Sequence, residues 1–210
     1  MNGAVINVLL IERQQIAREG VEALIAKSDR FTLAASTADP KEGFELFKEL
    51  RPDVVVLGLR FVDSCSIDAL PAYFEIQPRA RVVILADNAG DGEIAKALKL
   101  GALAFVSKDE SGDELFAAVE AAANGKKYLP KEIASVLAEN YGADELTPAE
   151  TNVLRSIVGG MSNKEIAFAL DISENTVKSH IQNIFSKIGV SDRTSAATAA
   201  IKRGLVRVDI

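Results

Sequence analysis

Asn175, Lys178, Ser179 and Gln182 follow one another at steps of three, one and three. On a helix that spacing puts all four on one face. They are hydrogen-bonding or cationic side chains with no large apolar group among them, the equipment for bonding base edges and phosphates. A second set of chemistry-bearing residues ends the apolar runs of the N-terminal half: Glu12-Arg13, Gly58, Ala86-Asp87 and Ser107-Lys108. The groups for hydrolysis or metal binding are scarce. Cys65 is the one cysteine and His180 the one histidine, so no intrachain disulfide and no cysteine cluster can form. A Ser-His-Asp or multi-histidine site would have to be built around His180 alone. No enzymatic activity, no cofactor and no metal are expected. His180 reads as a packing or phosphate-adjacent residue, and Cys65 as a small loop residue rather than a redox sensor.

The polar face needs a helix to carry it, and the stretch from Ser162 to Gly189 supplies two. Ser162 and Glu165 form a capping box at the start of the first. Ile166, Ala167 and Leu170 give that helix one apolar face. Asp171-Ile172 is the turn, and Ser173 caps the second helix. Val177, Ile181, Ile184, Phe185 and Ile188 form its apolar stripe, opposite the polar face, and Gly189 ends it. Upstream, Thr147-Pro148-Ala149-Glu150 opens a helix with Val153, Leu154, Ile157 and Val158 inward. Downstream, Thr194–Arg203 is a last helix after Ser191-Asp192, closed by Gly204. Its Ala196, Ala197, Ala199, Ala200 and Ile201 form a small-residue surface, fit either for a partner helix or for plain core packing.

Charge follows the same division. The chain of 210 residues has a net charge of −6. Residues 1–140 carry 16 Lys and Arg against 22 Asp and Glu, whereas the stretch from Thr176 onward carries 6 against 2. The basic charge thus lies where the polar face does. It is modest, so weak non-specific affinity and a need for dimerisation follow. Hydrophobic content of 48% and charged content of 26% suit a soluble globular protein. No apolar run has the length of a membrane span, and no basic, hydrophobic, cleavable leader opens the chain. A cytoplasmic location away from membranes is expected.

The N-terminal half alternates buried strands and helices. Val5–Ile11 reads as a strand, and Ile16, Gly20, Val21, Leu24 and Ile25 mark a helix. Phe31–Ser36 is a strand; Pro40–Leu50 is a helix with Phe44, Phe47 and Leu50 inward. Asp53–Leu57 is a fully buried strand, and Ile67–Ile76 a helix broken by Pro71 near its start. Arg81–Leu85 and Ala102–Val106 are the last strands, with helices at Glu93–Leu100 and Glu114–Ala123. Five strands alternating with five helices predict an α/β doubly wound, five-stranded parallel sheet, followed by an all-α helix-turn-helix domain of four helices. In such sheets function sits at the carboxyl ends of the strands. The domain limits read as 1–125, a connection over 126–145 with a short helix after Leu129-Pro130 and a flexible joint at Tyr141–Asp144, and 146–210.

Two resemblances carry this reading further. Leu146–Leu205, through the run LTPAETNVLRSIVGGMSNKEIAFALDISENTVKSHIQNIFSKIGVSDRT, resembles the LuxR-type helix-turn-helix of the NarL/FixJ response regulators. Asp171 stands where that family often has Gly in the turn, and Asp tolerates a left-handed backbone better than most residues. The resemblance implies double-stranded DNA as partner and a dimer on DNA formed through the last helix. It places base reading on Lys178, Ser179 and Gln182. Lys178 would bond guanine and Gln182 adenine. Ser162, Asn163, Lys164, Asn175, Thr176 and Arg193 are candidates for phosphate contact, some through helix N-terminal amides. The pieces INVLLIERQQIAREGVEALI, RPDVVVLGLR, ARVVILAD and GALAFVSKDESGDELFAAVEAAANGKKYL are similar to the receiver domain of two-component response regulators, and this resemblance implies a flavodoxin-like sheet.

In that family, paired acids after the first strand bind Mg²⁺, an Asp ending the third takes the phosphoryl group, a Thr or Ser ends the fourth, and a Lys ends the fifth. Here those positions hold Glu12-Arg13, Gly58, Ala86 and Lys108, with Phe105 at the aromatic switch position. Glycine has no nucleophilic oxygen. Arg13 would repel a metal that needs convergent carboxylates, and Asp63 is a poor substitute on a loop. Asp53 starts the third strand and so lies at the wrong end. The expectation is a pseudo-receiver in a sequence-specific transcription regulator working without aspartyl phosphorylation, as a homodimer. Control would come from protein level or from a ligand or partner protein at the receiver. Lys108, without a phosphoryl partner, either pairs with Glu12 and locks one conformation or is a solvated loop lysine. A rival reading is an interaction module whose pseudo-receiver docks a partner, with DNA binding secondary.

Overall fold

The computed structural model describes residues 5–62, 64–139 and 145–206, so Asp63 and the Tyr141–Asp144 joint lie outside the described residues. The chain resolves into two compact units, the first made of residues 1–88 and 94–135 and the second of the remainder.

The first unit is built on strands β1 (Ile6–Ile11), β2 (Phe31–Thr37), β3 (Val54–Gly58), β4 (Val82–Ala86) and β5 (Ala104–Ser107). All pair in parallel in the order β2-β1-β3-β4-β5, the predicted doubly wound sheet. Every residue of β3 and β4 is buried, as runs of valine, isoleucine and leucine covered on both faces require. Helices α1 (Gln15–Ala26), α2 (Pro40–Leu50), α3 (Ser66–Ile76), α4 (Asp91–Lys99) and α5 (Gly112–Ala123) follow the strands in turn. One core joins Val8, Leu10, Val56, Val83, Val106 and Ala118 across sheet and helices. The register sets Ile11 beside Leu57, Gly58 beside Leu85 and Ala86 beside Ser107. Glu12, Gly58, Ala86 and Lys108 therefore lie side by side at the carboxyl end of the sheet.

Three local expectations are corrected. Helix α3 is not broken at Pro71 but runs through it. Proline removes one backbone donor there, and Ile67, Leu70 and Tyr73, all buried, hold the turns on either side. Leu50 is 42% exposed rather than inward, because the helix ends at Arg51 in a left-handed conformation and Leu50 lies about 60° around from the buried Phe47. Ile16 is 88% exposed, since nine residues before the buried Ile25 place it on the opposite face of α1.

The connecting segment begins tethered. The Tyr128 amide donates to the Leu103 carbonyl at 2.9 Å, and its hydroxyl donates to Glu114 at 2.7 Å. Helix α6 (Lys131–Glu139) is the short helix expected after Pro130.

The second unit holds α7 (Pro148–Val158), α8 (Asn163–Leu170), α9 (Glu174–Ile188) and α10 (Arg193–Lys202). Capping boxes open α7 at Thr147–Glu150 and α8 at Ser162–Glu165. These bonds hold the Glu165 carboxyl below its usual range. Val153, Leu154, Ile166, Val177, Ile184 and Ile188 form the core. Ala196 and Ala200 of α10 are wholly inside that core, and Ala197 and Ala199 are partly buried against it, so plain packing claims most of the small-residue surface. Among the described residues no helix is long and apolar enough to cross a membrane.

Candidate nucleic-acid interface and strand-end site

The turn between α8 and α9 depends on Asp171. It closes α8 in the left-handed conformation (φ 54°, ψ 48°), where its short polar side chain is tolerated. Ser173 then caps α9, its hydroxyl accepting the Thr176 amide at 3.0 Å. Gly189, at φ 73°, ends α9 in the conformation that glycine adopts without strain. Val177 and Ile184 are fully buried, and this fixes the rotation of α9. Asn175, Thr176, Lys178, Ser179 and Gln182 are all exposed as a result. Lys178 and Gln182 have no side-chain partner among the described residues, so both are unspent donors. The Ser179 hydroxyl donates to the Asn175 carbonyl at 3.1 Å and keeps its lone pairs. Lys164 is exposed at the start of α8. Arg193 and Asn163 are half-buried and bond each other at 3.3 Å, and Arg193 also donates to the Met161 carbonyl. These two act first as a brace between α8 and α10. His180 is half-buried on the flank of the stripe.

A residue pair that sequence reading missed holds α9 in place. Lys187 donates to Glu150 at 2.8 Å and to the Glu145 carbonyl at 3.1 Å. Burial works to raise the Glu150 carboxyl, but the Lys187 ammonium and the Thr147 cap outweigh it and hold it below the usual glutamate range. A depressed carboxyl stabilises the fold above its unfolded value, and that stability is lost as pH falls through the folded one. Lys187→Met should cost about 1–3 kcal/mol at neutral pH in urea unfolding, because Glu150 stays buried without its cation. The gap from the parent should narrow in acid below the usual glutamate value; a gap independent of pH would refute the pairing.

At the strand ends, Glu12 is buried (1% exposed) and Lys108 nearly so. Their side chains meet at 2.9 Å, which settles the pairing against the solvated-lysine alternative. The same Glu12 oxygen accepts the Gln14 amide at 2.7 Å. Lys108 also lies 3.5 Å from Asp87, which in turn accepts from the Gln14 side chain at 2.7 Å. Arg18 donates to the Glu12 carbonyl at 2.9 Å. Gln14, Arg18 and Asp87 thus close a ring that only the fold brings together. The second Glu12 oxygen has no hydrogen-bond partner among the described residues and packs over Gly58, where an added Cβ would stand 2.3 Å from it. The Glu12 carboxylate fills the space of the missing side chain at position 58. Arg13 points to solvent, and Ala86 is buried.

These residues do not fit a magnesium ion. Glu12 is spent on the Lys108 ammonium, Asp87 lies against the same ammonium and accepts from Gln14, Arg13 is a guanidinium, and position 58 offers no oxygen. Among the described residues no three His, Cys, Asp or Glu side chains are grouped to hold a metal. Cys65 is a buried thiol just before α3.

The profile of the response regulator receiver domain matches residues 8–120, and that of the bacterial regulatory proteins of the luxR family matches 144–200. The transcriptional regulatory protein YdfI of Bacillus subtilis is 30% identical, over 96% of this chain and 98% of its own. The nitrate/nitrite response regulator NarL of Escherichia coli K12 is 31% identical, over 90% and 92%. RcsB from Salmonella enterica serovar Typhimurium, solved on promoter DNA, aligns over 92% of this chain and 97% of its own with a TM-score of 0.74 and 21% identity, a likeness of fold. With a receiver fold and a LuxR-type helix-turn-helix matched along one chain, this protein belongs to the LuxR/NarL family of DNA-binding transcriptional response regulators.

Proposed function

We propose that this regulator binds specific DNA sites as a homodimer and does so without aspartyl phosphorylation. The observation that carries the reading is Gly58 lying under the Glu12 carboxylate, which is itself bonded to Lys108. A phosphoryl group would find no acceptor oxygen, no metal clamp and no free lysine there. Residues 1–125 serve as pseudo-receiver, 126–145 as connection and 146–210 as the DNA-binding domain, working in the cytoplasm. Lys178, Ser179 and Gln182 read bases, and Asn175, Thr176, Asn163, Lys164 and Arg193 contact phosphates. Exposure of the α9 face and the two unspent donors on it support that assignment. The dimer is supported by the modest positive charge of one recognition unit and by RcsB, which has been solved as dimers on DNA.

The test is selection of fragmented genomic DNA by the full chain with no phosphodonor present. Discrete sites should be recovered, and acetyl phosphate should leave their affinity unchanged. Lys178→Ala should weaken those sites by about 1–3 kcal/mol while non-specific binding falls far less. Site selection that appears only with acetyl phosphate would refute the reading, and unchanged affinity of the variant would remove Lys178 from base contact.

A further inference from the structure

A cleft of about 450 Å³ opens between α2 and α3 of the receiver, and the strand-end site makes no use of it. Protein interiors close voids much smaller than this, and cavities of about 300–1,000 Å³ are the size of small-molecule sites. Its lining is aromatic and small: Phe44, Phe61, Tyr73 and Ala72 among others. Phe44 meets Tyr73 edge-on at 5.0 Å, which fixes both rings. Two polar features break the apolar wall. Tyr73 is 2% exposed, and its hydroxyl makes no hydrogen bond to another described residue, though that oxygen is not sealed from solvent. Burial pushes that phenol up to about 12, so it stays protonated and offers a donor. At the mouth, Glu45 is neutralised by Lys48 at 2.5 Å. Lys41 lines the cleft and is exposed, with no ion pair among the described residues.

We infer that this cleft binds a small aromatic carboxylate, its ring system against Phe44 and Tyr73 and its anionic end toward Lys41. An apolar wall gives area, the Tyr73 hydroxyl gives a donor, and the Lys41 cation favours an anion. The site stands on the receiver's geometry alone and is independent of how the DNA-binding domain is controlled.

The probe is 2-naphthoate, with 2-naphthamide as its uncharged counterpart, titrated into the full chain and followed by the aromatic NMR resonances of Phe44 and Tyr73. For a ligand of this size a dissociation constant on the order of 1 mM or tighter is expected. Lys41→Met should weaken binding about tenfold, the worth of one charge-assisted contact. It is an exposed substitution that leaves the fold intact. Ala72→Trp, which fills the cleft, should abolish the shifts while circular dichroism is unchanged. No shift of these resonances at millimolar probe, equal binding of the amide, or an unaltered constant in Lys41→Met would each overturn the inference. So would shifts that follow protein concentration without probe, which would mark the cleft as a contact between copies.

Discussion

Lys108→Met should lose about 3–5 kcal/mol of stability, read as the fall in the urea midpoint at constant slope. Glu12 is 1% exposed and its one ion pair among the described residues, at 2.9 Å, is with this lysine. Removing the ammonium leaves a buried carboxylate whose one remaining donor among the described residues is the Gln14 amide at 2.7 Å. The methionine keeps the volume of the stem, so packing loss adds little. A Glu12→Gln, Lys108→Met double variant should recover most of the loss, because the uncompensated charge, rather than the missing bond, is what costs. If the single variant is as stable as the parent, Glu12 and Lys108 are not coupled in solution and the lock on the strand ends does not exist. If the double variant is as unstable as the single one, the cost lies in packing, and the electrostatic account fails.

Gly58→Asp should not restore phosphorylation, and it should destabilise the receiver. A working acceptor would need its carboxylate free and a metal beside it. Here the new Cβ stands 2.3 Å from the unpartnered Glu12 oxygen and 3.3 Å from the Ile11 carbonyl. Glu12 must leave its bonds to Lys108 and Gln14, and two carboxylates then share a buried site. Gly58→Ala isolates the steric part, which should cost about 1–3 kcal/mol, as overpacked cores do. In a Glu12→Ala background the same alanine should cost close to nothing, since the clashing group is gone. Acetyl phosphate should give no label on Gly58→Asp, because Arg13 still occupies the second acid position. Robust labelling of that single variant would show that Arg13 does not spoil the metal site. A Gly58→Ala cost that persists without Glu12 would show that the tight contact is with the backbone instead.

The degree to which this molecule could be read in advance differs between its two halves. In the helix-turn-helix the informative signals are local. A Ser and a Glu three residues apart satisfy each other's backbone amides, a 3.6-residue apolar period turns one face inward, and Asp171 and Gly189 tolerate left-handed backbone. Each of these is complete within a few residues. So the exposed row Asn175, Lys178, Ser179 and Gln182 was legible, and so were the caps. The brace between Lys187 and Glu150 joins residues far apart in sequence and has no such local signature.

In the receiver, sequence determined the doubly wound parallel sheet, because buried apolar runs alternating with helices admit few other architectures. It also determined what is missing: an oxygen at Gly58, a second acid at Arg13 and a hydroxyl at Ala86. Only the tertiary structure decided what occupies the gap. Parallel register brings the end of β1 beside the end of β3, and there the Glu12 carboxylate takes the place of the side chain that glycine lacks. The ring through Gln14, Asp87 and Lys108 and the cleft between α2 and α3 depend likewise on strands and helices meeting across long stretches of chain. Residue type states which chemistry a position can perform, and packing distance decides which of those groups are already spent on one another.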